Sequence, residues 1–283
     1  MPQATTPQTG DLEFKKMLGS TDHLRITQGF IQDFFGLHVR LDQIEIAAPY
    51  SINRYHDILA TGDAQQSRDL RETLRDVTIR VGLADLTLEL QIRKETNFAK
   101  RALFYLANLY TSNYDRDPIA GRYASLRPVW QLCILGHRMF ACPHGFHMFC
   151  LYDREAEEAL DPELMRLGFL ELHKPDTDPA RARWQRLLLT GQSADGDPSY
   201  LQEAASIIGQ ANLSPKEHAV ISLMEQYEAI REDEMMAARD DGIRETQLAN
   251  ARAALRWGVP ASGVVEITGL DAATVDQLAA ELH

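Results

Sequence analysis

Two acidic side chains on neighbouring alternating segments offer the most specific chemistry in this chain. Asp76 opens the segment DVTIRV, and Glu89 lies within LTLELQI. In the first, Val77, Ile79 and Val81 alternate with Asp76, Thr78 and Arg80; in the second, Leu86, Leu88, Leu90 and Ile92 alternate with Thr87, Glu89 and Gln91. A period of two means strands with one face buried. The short break from Gly82 to Asp85 is of the kind that joins antiparallel neighbours. If Gly82 stands opposite Asp85, then Asp76 faces Gln91, and Glu89 is its diagonal neighbour on the same face, with Cβ atoms about 7–8 Å apart. Carboxylates so placed can lean onto one hard cation, which takes oxygen ligands at about 2.0–2.1 Å if it is Mg²⁺. A slip of one residue would send them to opposite faces. The same residues also fit a plainer alternative, the solvated face of a half-exposed hairpin. Asp85 shares the parity of Glu89 and, as a turn residue, reads as structural.

A second constellation is His137, Cys142, His144, His147 and Cys150 in GHRMFACPHGFHMFC. Thiol and imidazole side chains so close together raise the question of zinc, and with it a regulatory zinc-binding protein. The spacing C-x-H-x-x-H-x-x-C matches no standard finger or knuckle, Pro143 to Gly145 reads as a turn, and His147 faces away from Phe146 and Met148. Structural zinc is therefore the lesser expectation. Cys133 reads as a small buried residue.

The elements that must hold these groups follow from the pattern on either side. Phe14, Met17 and Leu18 sit at helical spacing, Gly19 to Thr21 break it, and Asp22 is placed to cap a second helix carrying Leu24, Ile31, Phe34 and Phe35 and ending at Gly36. Leu41 to Ala48 alternates as a strand, and Pro49 to Arg71 reads as a long polar connection. Asn97 caps a helix to about Tyr114 whose inner face is Phe98, Ala102, Tyr105, Leu106 and Leu109. On that helix Arg101 and Tyr105 are neighbours, and Arg101 can pair with Glu95. A loop covers Asp115 to Arg127. Pro128 to Gly136 is nearly all apolar, as expected of a central strand covered on both faces. Phe146 to Tyr152 and Leu167 to Leu172 read as further strands, and Asp178 to Thr190 as a helix closing the core. Gly191 to Pro198 has the composition of a linker. Beyond it the spacing predicts helices over Tyr200–Gln210, Pro215–Asp240 and Glu245–Trp257, the last stopped by Gly258 and Pro260, and then two short ones around Thr268-Gly269-Leu270.

Composition sets limits. With 283 residues, 45% hydrophobic and 25% charged, the chain has the make-up of a soluble globular protein with room for one well-buried domain and an appendage. No basic stretch followed by an apolar run opens the sequence, and no apolar run approaches the ~20 residues that span a bilayer, so neither a signal peptide nor a membrane partner is expected. The three cysteines do not make a disulfide framework, and the cytoplasm is the expected location. Net charge is −12, but residues 1–190 carry 23 Lys+Arg against 25 Asp+Glu, while residues 191–283 carry 6 against 16. The acidity belongs to the tail. The first part is near neutral with an Arg-rich stretch from Arg68 to Arg80, so charge alone neither supports nor excludes a nucleic-acid partner.

The ordered set of motifs resembles the Rpn family of recombination-promoting nucleases and transposases, within the PD-(D/E)XK nucleases. Asp11, Phe14, Lys15 and Gly19 fit its opening D-x-x-F-K and glycine; Asp76-Val77 fits the first catalytic strand; Glu89-Leu90-Gln91 fits E-x-Q, the local form of (D/E)xK. Arg101, Tyr105, Leu109 and Tyr110 match the following helix, Leu126-Arg127-Pro128-Val129 the L-x-P-V of the next strand, and Thr268-Gly269-Leu270 the C-terminal tail. Two departures are a shorter hairpin loop at Gly82–Asp85 and a longer, more Arg-rich stretch before Asp76.

The resemblance implies a restriction-endonuclease-like α/β fold, a mixed sheet flanked by helices with an all-α tail. Together with the composition of the ends, this divides the chain into a disordered stretch at 1–10, a nuclease-like domain over 11–190, a linker over 191–198 and a helical region over 199–283. The resemblance also implies a DNA endonuclease acting on double-stranded DNA with Mg²⁺ or Mn²⁺; the alternative is a catalytically inactive relative that keeps the fold and binds DNA or protein. Asp76, Glu89 and the Leu90 carbonyl would hold the metal. Gln91 stands where the usual motif has lysine; its amide can orient water but carries no charge. The missing cation then falls to Lys15 or Arg101, of which Arg offers a bidentate, permanently charged fork. Asp11 is a further carboxylate, equally suited to capping its helix. The acidic C-terminal helices have helix-turn-helix spacing, and their acidity favours packing or homodimerisation over DNA reading.

Overall fold

In the computed structural model the two alternating segments are β2 (Asp76–Arg80) and β3 (Asp85–Gln91). The structure describes residues 7–63, 65–66, 70, 74, 76–82, 84–114 and 123–281. Val81 and Ala84 exchange both backbone hydrogen bonds, at 3.0 and 3.3 Å, so the hairpin closes on a two-residue loop. Two-residue loops match the right-handed twist of the flanking strands. This closure places Arg80 opposite Asp85 and corrects the expected register: Asp76 faces Glu89 itself rather than Gln91. The displacement is by two residues, so every side chain keeps its expected face.

β2 and β3 belong to a six-stranded sheet with β1 (Glu45–Ile46), β4 (Val129–Leu135), β5 (Phe146–Phe149) and β8 (Met165–Glu171), ordered β1-β2-β3-β4-β8-β5. β3, β4 and β8 run parallel, β2 and β5 pair antiparallel to β3 and β8, and β1 pairs antiparallel to β2. A parallel centre must be covered on both faces, and all seven residues of β4 are buried. β6 (Tyr152–Asp153) and β7 (Glu158–Ala159) form a separate two-stranded ribbon.

One face carries Val77, Ile79, Leu86, Leu88, Leu90, Leu132, Ile134 and Leu170, in one core with α1 (Asp11–Gly19), α2 (Leu24–Phe35) and α5 (Pro179–Thr190). Phe30 meets Trp184 edge-on at 4.9 Å, and Trp184 Nε1 and Tyr200 OH both donate to Asp33, at 2.8 and 2.7 Å. Asp178 caps α5 by accepting from Ala180 and Arg181, and Gly36 and Gly191 end α2 and α5 in left-handed conformations. The opposite face is covered by α4 (Phe98–Thr111), whose Phe98 and Ala102 pack on Cys133, Leu135 and Phe169.

Several local expectations are corrected. The connection from Pro49 contains α3 (Ile52–Ala60), anchored by buried Tyr55 and Leu59, whose spacing of four the polar composition masked. The strand expected over Leu41–Ala48 shortens to β1, because Leu41–Gln43 form a 3-10 turn. Asp22 does not cap α2; Ser20 accepts from its N–H in the turn before. Asn97 precedes α4 with φ 63° and no side-chain cap. Thr9, within the stretch expected to be unstructured, is buried and donates to the Leu188 carbonyl at 3.2 Å. Residues 1–6, Arg68, Arg71, Arg75 and residues 115–122 lie outside the described residues.

Residues 191–198 are no boundary, since Leu201, Ala204, Ile207 and Ile208 join the main core. Two compact units instead divide between Ile221 and Ser222, within α7 (Pro215–Arg256), which runs unbroken where two helices were expected. α6 (Ser199–Ala205) and the first turns of α7 belong to the first unit. Ser214 and Glu217 form a reciprocal cap at the start of α7, with Glu217 Oε2 accepting from the Ser214 N–H at 2.7 Å. In the second unit α8 (Ala261–Thr268) and α9 (Ala272–Glu281) pack with Ala251 through Val264, Leu270, Val275 and Leu278. Gly258 and Gly269 supply left-handed turns at φ 82° and 70°. Among the described residues no helix is long and apolar enough to cross a membrane.

Candidate active site

Hydrogen-bonded and non-hydrogen-bonded pairs alternate along an antiparallel ladder. Val81 and Ala84 are a bonded pair, which makes Asp76 and Glu89 a non-bonded one, with Cα atoms about 4.5 Å apart and side chains on the same face. The two carboxylates thus start closer together than the diagonal arrangement expected from the sequence. The same alternation turns the Leu90 carbonyl toward β2, one level beyond Asp76, a direction compatible with a ligand's role.

The register continues this row across the sheet as Asp76, Glu89, Cys133, Phe169 and His147. Asp76 is half-buried, and Glu89 is only 2% exposed. A buried carboxylate needs partners. Arg101, one turn into α4, donates from Nη2 to Glu89 Oε1 at 2.7 Å and to Gln91 Oε1 at 2.8 Å. Its Nη1 also pairs with Glu95, and the guanidinium lies 5.1 Å from the Phe98 ring centroid. The pairing expected with Glu95 and the approach to Glu89 are therefore both present. The second oxygen of Glu89 lies 3.5 Å from Gln131 Nε2 and 3.8 Å from the Cys133 thiol. Burial, with Glu89 beside it, pushes the Cys133 thiol well above its usual range and keeps it neutral.

Gln91 is 3% exposed and engaged at both ends. Its Nε2 donates to the Arg93 carbonyl at 2.6 Å and to Glu95 at 3.2 Å, while its oxygen accepts from Arg101. In this arrangement it positions Arg101 rather than a water. Lys15 is 1% exposed and stands on the other flank of β2, where its ammonium donates to the Asp76 backbone carbonyl at 2.7 Å. Burial pulls its pKa down to about 8, against the opposing pull of Asp76. Arg101 thus reaches Glu89 and Gln91, and Lys15 braces the strand that carries Asp76. Asp11 lies in the first turn of α1 and influences Glu13 electrostatically. The exposed side chains of Arg93, Lys94 and Lys100 belong to the segments that flank Glu95 and Arg101.

Gln131 was the residue that periodicity passed over. A polar side chain in the middle of PVWQLCILG was its only signal, and the register shows it on the face of Glu89.

The Cys/His cluster resolves into structural contacts. Fully buried Glu171 accepts from the N–H groups of Met139 and Phe140, at 2.5 and 3.2 Å, and from Lys174 at 2.6 Å. His147 lies 3.5 Å from Glu171 and 3.5 Å from the Cys142 sulfur, and Cys150 is exposed. Among the described residues no three His, Cys, Asp or Glu side chains form a group that could hold a metal ion. Two carboxylates and a main-chain carbonyl nevertheless make a set of hard oxygen donors, which suits a small divalent ion better than a soft one.

A mixed six-stranded sheet flanked by helices, with opposed carboxylates on a hairpin beside its parallel centre, defines a nuclease-like α/β protein. The chain belongs to the PD-(D/E)XK nuclease family transposases, whose model matches residues 8–228. No curated protein and no solved structure matches it. Nucleases of this superfamily generally use divalent metals.

Proposed function

We propose that this protein is a metal-dependent DNA endonuclease that hydrolyses phosphodiester bonds in double-stranded DNA, of the recombination-promoting, transposase-associated kind. The observation that carries this reading is the direct opposition of Asp76 and Glu89 on the face that also holds Arg101. The carboxylates of Asp76 and Glu89, with the Leu90 carbonyl, would hold Mg²⁺ or Mn²⁺. When bound, such an ion supplies Lewis acidity and lowers the pKa of water. Arg101 takes the place of the missing lysine, with a fixed positive charge beside Glu89 for the negative phosphate. Gln91 and Glu95 hold the guanidinium in place, and its Nε–H is a buried donor with no hydrogen-bond partner. Lys15 fixes the backbone at Asp76 from the outer edge.

Supercoiled plasmid incubated with Mg²⁺ or Mn²⁺ tests the proposal. Wild type nicks it, while Asp76→Ala and Glu89→Ala do not. Nicking that persists in both variants rejects the site. A second reading, a non-catalytic nuclease fold that binds DNA or protein, draws on the neutralisation of Glu89 by Arg101; a wild type that cuts with neither ion supports it. Self-association through the C-terminal helices rests on the exposed Ile230, Met235, Met236 and Trp257, and a monomer in sedimentation equilibrium refutes it.

A further inference from the structure

The helix that delivers Arg101 to Glu89 has a second face. α4 turns Phe98, Ala102 and Leu106 onto the sheet, where all three are buried. Its outward positions carry Lys100, Leu103 and Phe104, and the two apolar side chains are 56% and 60% exposed. Phe104 follows Arg101 by three residues and Lys100 by four, so both are its neighbours on the helix surface, with Cβ atoms about 5–6 Å apart. Its ring centroid lies 6.0 Å from that of Tyr105, tilted by 53° rather than stacked. In a chain of net charge −12, no Asp or Glu occurs from Thr96 to Tyr114, and the charges on α4, Lys100 and Arg101, are positive. Exposed Lys94 adds another just before the helix. A face with cations, an exposed ring and no carboxylate of its own complements a polyanion whose bases are open to stacking. In uninterrupted duplex each base face is covered by its neighbours, and only an unpaired base presents one.

We infer that the outer face of α4 is a stacking platform for an unpaired base beside the cut, so that the substrate is DNA in which duplex meets a single-stranded stretch, such as a gap, flap or overhang. The inference rests on the endonuclease reading and narrows its substrate. Arg101 places the platform: its guanidinium is on Glu89 at 2.7 Å, and Phe104 is one turn further along the same helix. Lys94 and Lys100 hold phosphates flanking the base, and Phe104 takes the base itself, with Leu103 beside it. Stacking tolerates every base, so the platform selects strand structure rather than sequence. Negative supercoiling favours strand opening, so a supercoiled plasmid meets the same requirement.

Fluorescence anisotropy of the full chain in EDTA, which withholds the ion needed for cutting, compares a blunt duplex, the same duplex with a short gap, and a single strand. Wild type binds the gapped duplex more tightly than the blunt one. Phe104→Ala weakens gapped and single-stranded DNA about tenfold and changes blunt duplex by less than about twofold. Lys100→Ala weakens all three DNAs together and reduces the salt dependence by about one phosphate contact. Phe104→Trp keeps the preference, and its added fluorescence is quenched by gapped DNA and not by blunt duplex. That readout decides the matter if circular dichroism shows that Phe104→Ala fails to fold. Equal binding of gapped and blunt duplex by wild type, or a Phe104→Ala loss that is absent or equal on both, overturns the inference. So does a Phe104→Ala that alters only the sedimentation of the protein, since the face is then an interface between proteins. The endonuclease reading stands in those events if wild type nicks supercoiled plasmid and Asp76→Ala does not. No nicking, together with no binding of any DNA, removes that reading and the inference with it.

Discussion

Arg101→Met removes the short ion pair of buried Glu89 and destabilises the fold. Glu89 has a 3% exposed side chain, and its short ionic partner is Arg101 Nη2 at 2.7 Å. Removing one partner of a fully buried pair costs about 3–5 kcal/mol. Arg101 is 29% exposed, so water already screens part of the interaction, and about 2–3 kcal/mol is the expected loss. At about 2–4 °C per kcal/mol for a unit of this size, melting falls by about 5–10 °C in EDTA. Adding Glu89→Gln to Arg101→Met removes the buried charge and restores much of the loss. Mn²⁺ also compensates Glu89, by about 2.7 kcal/mol at a hundred times its dissociation constant. Melts of the single and double variants, with EDTA and with Mn²⁺, give these quantities. Melting of Arg101→Met within about 1 °C of wild type in EDTA, or no recovery in the double variant, refutes the reasoning.

The remaining perturbations probe the supports. Burial alone would raise Glu217, but Lys16, Tyr50 and Ser214 outweigh it and bring its pKa down to about 2. Its stabilisation is complete above the unfolded value near 4.5 and is lost as pH falls toward 2, so Glu217→Gln flattens that acid limb in urea titrations. Lys15, lowered by burial from 10.5 to about 8, makes stability rise with pH between those values, and Lys15→Met abolishes the rise in melts across that range. Gly29→Ala drives a Cβ to 2.6 Å from the Tyr200 ring, which stacks on Trp184; an overpacking loss of about 1–3 kcal/mol is expected in denaturant titration.

Alternation made the strands legible, and the opposed faces of Val77 and Asp76 follow from it directly. Register was harder, because Gly82 and Asp85 fit either of two closures, and only the backbone bonds between Val81 and Ala84 decide. The partnership of Asp76 and Glu89 survived because the displacement was even. The family resemblance pointed to Arg101, while spacing alone offered Glu95 as its partner; one guanidinium reaches both carboxylates from the first turn of α4, which packs on β4 and β8. Gln131 was hidden by its own strand, where seven buried residues read as uniform core. The helix at Ile52–Ala60 was hidden by polar composition, since two buried residues suffice to dock it.

Crystals grown with Mn²⁺ and measured at a wavelength where manganese scatters anomalously test the central claim most directly. The account predicts an anomalous peak about 2.0–2.3 Å from carboxylate oxygens of both Asp76 and Glu89, lost in Asp76→Ala. A peak elsewhere, or none between those strands at saturating Mn²⁺, contradicts it.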